Sequence, residues 1–225
     1  MRDSERQLVI DLPYRPALGR ADFFVSDCNR AALEWIERWP DWPGRRLVLH
    51  GPPSSGKSHL AQLWCAESGA RYVAGAALTA DEPPLGNEPT PSGVVVDDAE
   101  MAPEPALLHL YNACGEAGLG LLIVMGQPAG SSPIALPDLA SRLRAMPAIG
   151  IDAPDDALLA AVLVKHFADR QLRVAPSVIG YLLARMERSF AMAATLAARL
   201  DELSLTNGRK IGLPLARQAL ADFAV

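Results

Sequence analysis

The chain has 225 residues, 50% of them hydrophobic, and a formal charge of −5 with an isoelectric point near 5.4. That supplies one sizeable core with room for a small appended unit, and the acidic balance argues against a protein that coats DNA through a basic face of its own. Cys28, Cys65 and Cys114 are odd in number, widely spaced and without a C-x-x-C pair, which excludes a disulfide framework and points to free thiols in a reducing compartment.

The N-terminus, Met1 to Arg6, is charged and has no apolar signal-peptide segment. No apolar run approaches the roughly 20 residues of a membrane span. A cytoplasmic protein with no membrane partner is expected. Residues 1–20 read as a tail broken by Pro13, Pro16 and Gly19. Within it lies Gln7-Leu8-Val9-Ile10-Asp11-Leu12, an apolar-rich hexapeptide in polar surroundings. From the residues alone it is either a first edge strand or a linear motif that docks in a partner's groove.

Asn29 to Trp39 reads as a helix capped by Asp27 or Asn29, with Leu33, Ile36, Trp35 and Trp39 on its apolar stripe. Arg46 to His50 reads as a short buried strand, and Lys57 to Ser68 as a helix with Leu60, Leu63 and Trp64 on one face. Arg71 to Ala74 is a second strand. Gly75 to Ser92 is mostly loop, with a helical turn near Ala76 to Thr79. Val94-Val95-Val96 is a continuous apolar run, as a buried parallel strand requires. A helix from Glu104 to Ala117, a strand from Gly120 to Met125, a short helix from Asp138 to Met146 and a last strand from Ala148 to Asp152 follow. The alternation of strand and helix predicts an α/β fold, a parallel sheet flanked by helices. From Pro154 the pattern is helical only: Asp155 to Arg170, Pro176 to about Glu187, Ala191 to Leu205 and Leu213 to Phe223. The expected division is a tail (1–20), an α/β nucleotide-binding domain (21–153) and a small all-helical lid domain (154–225).

Between the first strand and its helix, Gly51-Pro52-Pro53-Ser54-Ser55-Gly56-Lys57-Ser58 fits G-x-x-x-x-G-K-[ST] at every position. Only Lys57, Lys165 and Lys210 occur in the chain, and one of them fills the required slot. Backbone N–H groups of such a loop cradle phosphates against the positive end of a helix. Lys57 reaches the β- and γ-phosphates, and the Ser58 hydroxyl binds Mg²⁺. The run Val94 to Val96 ends in Asp97-Asp98. A carboxylate at the end of a buried strand beside the phosphate loop suits Mg²⁺, the role of Asp97. Asp98, on the opposite side by strand alternation, is placed to orient or deprotonate an attacking water. The four histidines form no spaced cluster, and no G-x-S-x-G or Cys/His pairing marks a covalent nucleophile.

Together these stretches resemble the AAA+ ATPases, and within them the DnaA/Hda group. The resemblance covers nearly the whole chain. Ala21-Asp22-Phe23-Phe24-Val25-Ser26 resembles the segment lining the adenine pocket. Gly51 to Ser58 is similar to the Walker A loop, and Val94 to Asp98 to the Walker B strand. The resemblance implies nucleotide contacts at Phe24, Val25, Gly51, Pro52, Ser54, Ser55, Gly56, Lys57, Ser58, His59 and Arg188, the last as sensor II. It implies that Arg142, in Leu136-Pro137-Asp138-Leu139-Ala140-Ser141-Arg142-Leu143, is an arginine finger. Gln7, Leu8, Ile10 and Leu12 resemble the anchors by which Hda-type proteins dock on the DNA polymerase sliding clamp.

The chain stops after the helical lid, with no room for the helix-turn-helix domain of the initiators. The implied function is that of a regulator of bacterial replication initiation. It carries ADP or ATP with Mg²⁺, is tethered to the clamp, and stimulates ATP hydrolysis by DnaA. DNA is contacted only indirectly, and a homodimer is compatible with the pattern. One departure stands out: where the family has a polar sensor I residue, this chain has Met125-Gly126-Gln127-Pro128-Ala129-Gly130, leaving Gln127 or Ser131 for that role. Weak or absent intrinsic ATPase activity is the consequence. The competing readings are a DNA-binding AAA+ loader or remodeller, and a small-molecule P-loop kinase.

Overall fold

A computed structural model of the chain describes residues 20, 23–79, 91–207 and 210–223. The hexapeptide 7–12 lies outside these residues, as do Ala21 and Asp22. The described elements run α1 (Asp27–Glu37), β1 (Arg46–His50), α2 (Lys57–Ser68), β2 (Arg71–Ala74), β3 (Gly93–Asp97), α3 (Glu104–Glu116), β4 (Gly120–Met125), α4 (Pro137–Ala145) and β5 (Ala148–Gly150). Four helices follow: α5 (Asp156–Asp169), α6 (Pro176–Leu183), α7 (Phe190–Asn207) and α8 (Leu213–Ala221).

The sheet has the order β2-β3-β4-β1-β5, and every pair is parallel. β4 sits at the centre and sets β1 and β3 in register, Leu47 and Val95 both opposite Leu122, and Val48 and Val96 both opposite Ile123. Because the strands are parallel, the ends of β1, β3 and β4 open on one edge of the sheet, where ligands of open α/β sheets bind.

Alternation along the strands divides the side chains between two cores. Val48, Val94, Val96, Leu121 and Ile123 meet α3 and α4 on one face. Leu47, Leu49, Val95, Leu122 and Val124 meet α1 and α2 on the other. Burial on both faces explains why β3 and β4 are continuous apolar runs. A third cluster lies within α5–α8, built on Leu163, Phe167, Leu182, Leu196 and Leu200. Leu158 of α5 and Phe190 of α7 instead join the α1/α2 core, beside Phe23 and Ile151. They stitch the helical region to the sheet.

The start of α1 corrects the sequence reading. Ser26 is the N-cap, and the helix begins at Asp27. Asn29 is inside the first turn, where its Oδ1 accepts from the Ser26 N–H at 2.8 Å. An amide side chain reaching back to the capping residue takes the place of the glutamate of a capping box. The α6 helix ends at Leu183 rather than near Glu187.

Trp39, Trp42 and Trp64 form a compact aromatic group, with ring centroids 4.9–5.2 Å apart. Gly93 and Gly120 exist to admit it: a Cβ on Gly93 would lie 2.7 Å from Trp64 and 2.6 Å from the Gly120 carbonyl, and one on Gly120 would collide with the Trp39 ring. Gly120→Ala therefore overpacks the centre of the sheet. It is expected to lower stability by about 1–3 kcal/mol, read as a lower denaturant midpoint at unchanged slope.

Candidate nucleotide site

The turn from β1 into α2 is set by glycine geometry. Gly56 has φ 93°, a conformation costly for any side chain, and a Cβ there would press on the Phe23 ring at 3.1 Å. At Gly51 a Cβ would come within 2.9 Å of the Ile151 carbonyl, so the residue that follows β5 closes on the loop from behind. No side chain caps α2, whose N-terminus opens at the loop. Its first N–H groups are thus the donors a phosphate would use.

Lys57 is buried, and its ammonium donates to the carbonyls of Gly51 at 2.9 Å and Pro52 at 2.8 Å. Burial lowers its pKa, while the charges of Asp97, Asp98 and Glu100 raise it. This links the Lys57 cation electrostatically to the carboxylates at the end of β3. The Ser55 Oγ is buried without a hydrogen-bond partner. Such an atom is costly unless something satisfies it, and here it sits inside a phosphate loop. Ser54 and Ser58 are exposed, Ser54 with φ 60°, and Pro52 is half-buried. His59 is buried and meets the Phe23 ring edge-on at 5.3 Å.

Phe23 to Ser26 line the same corner. Phe23 is buried, while Phe24 and Val25 are 43% and 40% exposed. Asn29, buried, fixes this segment from both ends: besides receiving the Ser26 N–H, its Nδ2 donates to the Phe24 carbonyl at 2.8 Å. By sequence Asn29 reads only as a cap. The signal that could have found it was its spacing of three from Ser26.

Asp97 is buried at the end of β3. Its Oδ1 accepts from the Asp98 N–H at 3.0 Å, and its Oδ2 from the Tyr72 hydroxyl at 2.5 Å. Burial, the bond to Asp97 and the charges of Asp97 and Asp98 push the Tyr72 pKa above its usual range, with Gln62 pulling the other way. The tyrosine thus stays a donor at neutral pH.

Asp98 is exposed and lies beyond the strand, in left-handed conformation at φ 49°, ψ 52°. Its divergence from Asp97 is therefore a turn rather than strand alternation. Gly75 makes room for the Asp98 carbonyl, against which any Cβ would collide. Glu100, two residues on, accepts from the Gly126 N–H at the end of β4. Gln127 and Ser131 are both exposed.

Arg142 and Arg188 are held elsewhere. Arg142 Nε donates to Asp138 at 2.8 Å and Nη1 to Asn112 at 2.9 Å, and its guanidinium lies 5.3 Å from the Tyr111 ring centre. Their hydrogen bond, and behind it the opposite charge, raises the Arg142 pKa and lowers that of Asp138. These partners belong to α3 and α4, not to the phosphate loop. Arg188, in the turn between α6 and α7, donates to Asp156 at the start of α5, and both side chains are exposed. Arg144, two residues after Arg142 on α4, is exposed.

Among the described residues, no three His, Cys, Asp or Glu side chains converge to hold a metal unaided. A Mg²⁺ ion here would need phosphate oxygens together with Ser58 and Asp97, the usual habit of this cation. The orphaned Ser55 hydroxyl, the uncapped helix and the buried lysine fit a phosphorylated ligand. Burial pushes the Cys65 and Cys114 thiols up to about 11, which leaves them protonated and poor nucleophiles. No helix among the described residues is long and apolar enough to cross a membrane.

Residues 155–220 match the family model of the Hda lid domain. In structure, the chain is similar to domain III of the Thermotoga maritima replication initiation protein DnaA, with a TM-score of 0.76 at 18% identity, covering 94% of this chain and 99% of that one. AMPPCP-bound DnaA from Aquifex aeolicus matches with a TM-score of 0.65 at 15% identity, over 87% of this chain and 67% of that one. The Thermotoga maritima RuvB Holliday junction branch migration motor matches with a TM-score of 0.67 at 14% identity, over 91% and 72%. Identities this low show a shared fold alone, and the family-model match is confined to the C-terminal helices.

Proposed function

We propose that this chain, whose C-terminal helices match the Hda lid model and whose fold is similar to that of DnaA domain III, is a DnaA/Hda-type AAA+ protein: a nucleotide-bound regulator of replication initiation that acts on a second AAA+ protein. The lid match is the observation that carries this reading. In it, residues 21–153 form the nucleotide domain and 154–225 the lid. ADP or ATP sits on Gly51 to His59, with Phe24 and Val25 beside the base and Arg188 contributing from the lid. Ser58 and Asp97 hold Mg²⁺, and Asp98 faces the water side. Support comes from the orphaned Ser55 hydroxyl and the uncapped α2 N-terminus, and from the similarity in fold to the AMPPCP-bound DnaA of Aquifex aeolicus.

The partner's nucleotide, not this chain's own, is the one hydrolysed. Arg142 is the side chain supplied in trans to DnaA, and Gln7, Leu8, Ile10 and Leu12 tether the protein to the sliding clamp in the cytoplasm. The chain's own hydrolysis is weak: neither Gln127 nor Ser131 is held toward the site by any described contact, and the end of β4 is occupied by Glu100.

The test is capture by purified clamp. Wild type is retained, and Gln7→Ala combined with Leu12→Ala abolishes retention while leaving ADP binding unchanged. Failure of the wild type to bind the clamp, together with a salt-dependent shift of bare DNA, would replace this reading with that of a DNA-binding loader or remodeller.

A further inference from the structure

The Asp97–Tyr72 contact lies outside the roles assigned above. β2 is the edge strand beside β3, and Ala74 is the residue directly opposite Asp97. Tyr72 is two residues earlier, on the same face as Ala74. The tyrosine side chain spans the diagonal from that position to Asp97, past the small Ala74. The result is that each Asp97 oxygen already carries a donor from this chain: Oδ1 the Asp98 N–H, Oδ2 the Tyr72 hydroxyl. A 2.5 Å O–H···O⁻ contact is at the short, charge-assisted end of the range. Tyr72 is 39% exposed, so its ring is not locked in the core.

The geometry points to Tyr72 as a competitor of Mg²⁺ for the Asp97 carboxylate, a residue that lets this chain hold its nucleotide with little dependence on the cation. This rests on the nucleotide reading above. Mg²⁺ accepts oxygen ligands at about 2.0–2.1 Å in strict octahedral geometry and gives up water reluctantly. A carboxylate oxygen whose charge is drawn into a phenol hydrogen bond is a poorer ligand or water anchor for it. The device suits a protein that stores a nucleotide rather than turning it over.

The experiment titrates Mg²⁺ into wild type, Tyr72→Phe, Asp97→Asn and the double variant, with binding of a fluorescent ADP analogue as the readout, and repeats each measurement in EDTA. Tyr72→Phe takes the donor from a buried carboxylate oxygen, so its melting temperature falls below that of wild type, and each variant is assayed well below its own melting transition. ADP affinity in EDTA is the same for both, and the Mg²⁺ concentration needed for half of the cation effect falls about tenfold in Tyr72→Phe, the scale of one hydrogen bond to a charged group. In the Asp97→Asn background, Tyr72→Phe has no further effect. An unchanged or higher Mg²⁺ requirement in Tyr72→Phe would overturn the inference, since a tyrosine that merely orients Asp97 gives that result. Failure of wild type to bind the ADP analogue in either condition would overturn the nucleotide reading itself, and this inference with it.

Discussion

Replacing Lys57 with alanine is expected to lower adenine-nucleotide affinity by about 100-fold or more. The ammonium is buried and already directed at the loop, with two carbonyls of the phosphate turn as its partners. Two contacts to charged phosphate oxygens at roughly 1.5–3 kcal/mol each correspond to at least about two orders of magnitude. Removing Lys57 also removes the cation that faces Asp97, Asp98 and Glu100, so those carboxylates are left without that counter-charge beside the bound phosphates. The Gly51 and Pro52 carbonyls lose their donor as well, which makes a folding control essential. Equilibrium binding of a fluorescent ADP analogue, with the melting temperature measured alongside, decides the matter. A folded Lys57→Ala protein that binds as tightly as wild type would remove the phosphate loop from the mechanism.

Arg142→Ala is expected to abolish stimulation of the partner's ATP hydrolysis while clamp capture and ADP binding persist. An arginine supplied in trans is worth about 10³–10⁵ in rate in other phosphoryl-transfer systems. The structure adds a condition to that expectation. Arg142 is restrained by Asp138, Asn112 and the face of Tyr111, which Arg46 covers at 3.7 Å. Presenting it to another chain's γ-phosphate requires exchanging the Asp138 carboxylate for phosphate oxygens. Both are anionic and both accept the planar guanidinium fork, so Arg142→Lys will not restore the activity. Asp138→Ala frees the fork and is expected to retain stimulation. Stimulation that survives in Arg142→Ala would assign the finger to another arginine.

The fold was largely legible because its signals were local. The apolar run 94–96, the strand 120–125 and the glycine-lysine turn between a strand and a helix can each be read without knowing what lies nearby. Even the all-helical end was marked by a change of period after Asp152. Less legible were contacts made across the sheet. Tyr72 reads as an ordinary strand aromatic until the parallel register of β2 on β3 places it on a diagonal to Asp97. Glu100 reads as a loop acid until β4 brings Gly126 to it. Asn112 looks like a polar helix residue until α4 lays Arg142 against it. Each depends on partners roughly 25–30 positions away in the chain, a range over which single-residue preferences carry no information.

The seam formed by Leu158 and Phe190 has a thermodynamic consequence. These two lid residues are buried in one continuous apolar cluster with Phe23 and Ile151, and those two in turn press on Gly56 and Gly51 of the phosphate loop. The lid therefore has no melting behaviour wholly its own: loosening α7 uncovers the wall that shapes the loop, and stabilising the loop withholds solvent from α7. Ligand free energy and interdomain cohesion draw on the same buried surface, so a ligand held at one end of it raises the unfolding temperature of helices it never touches.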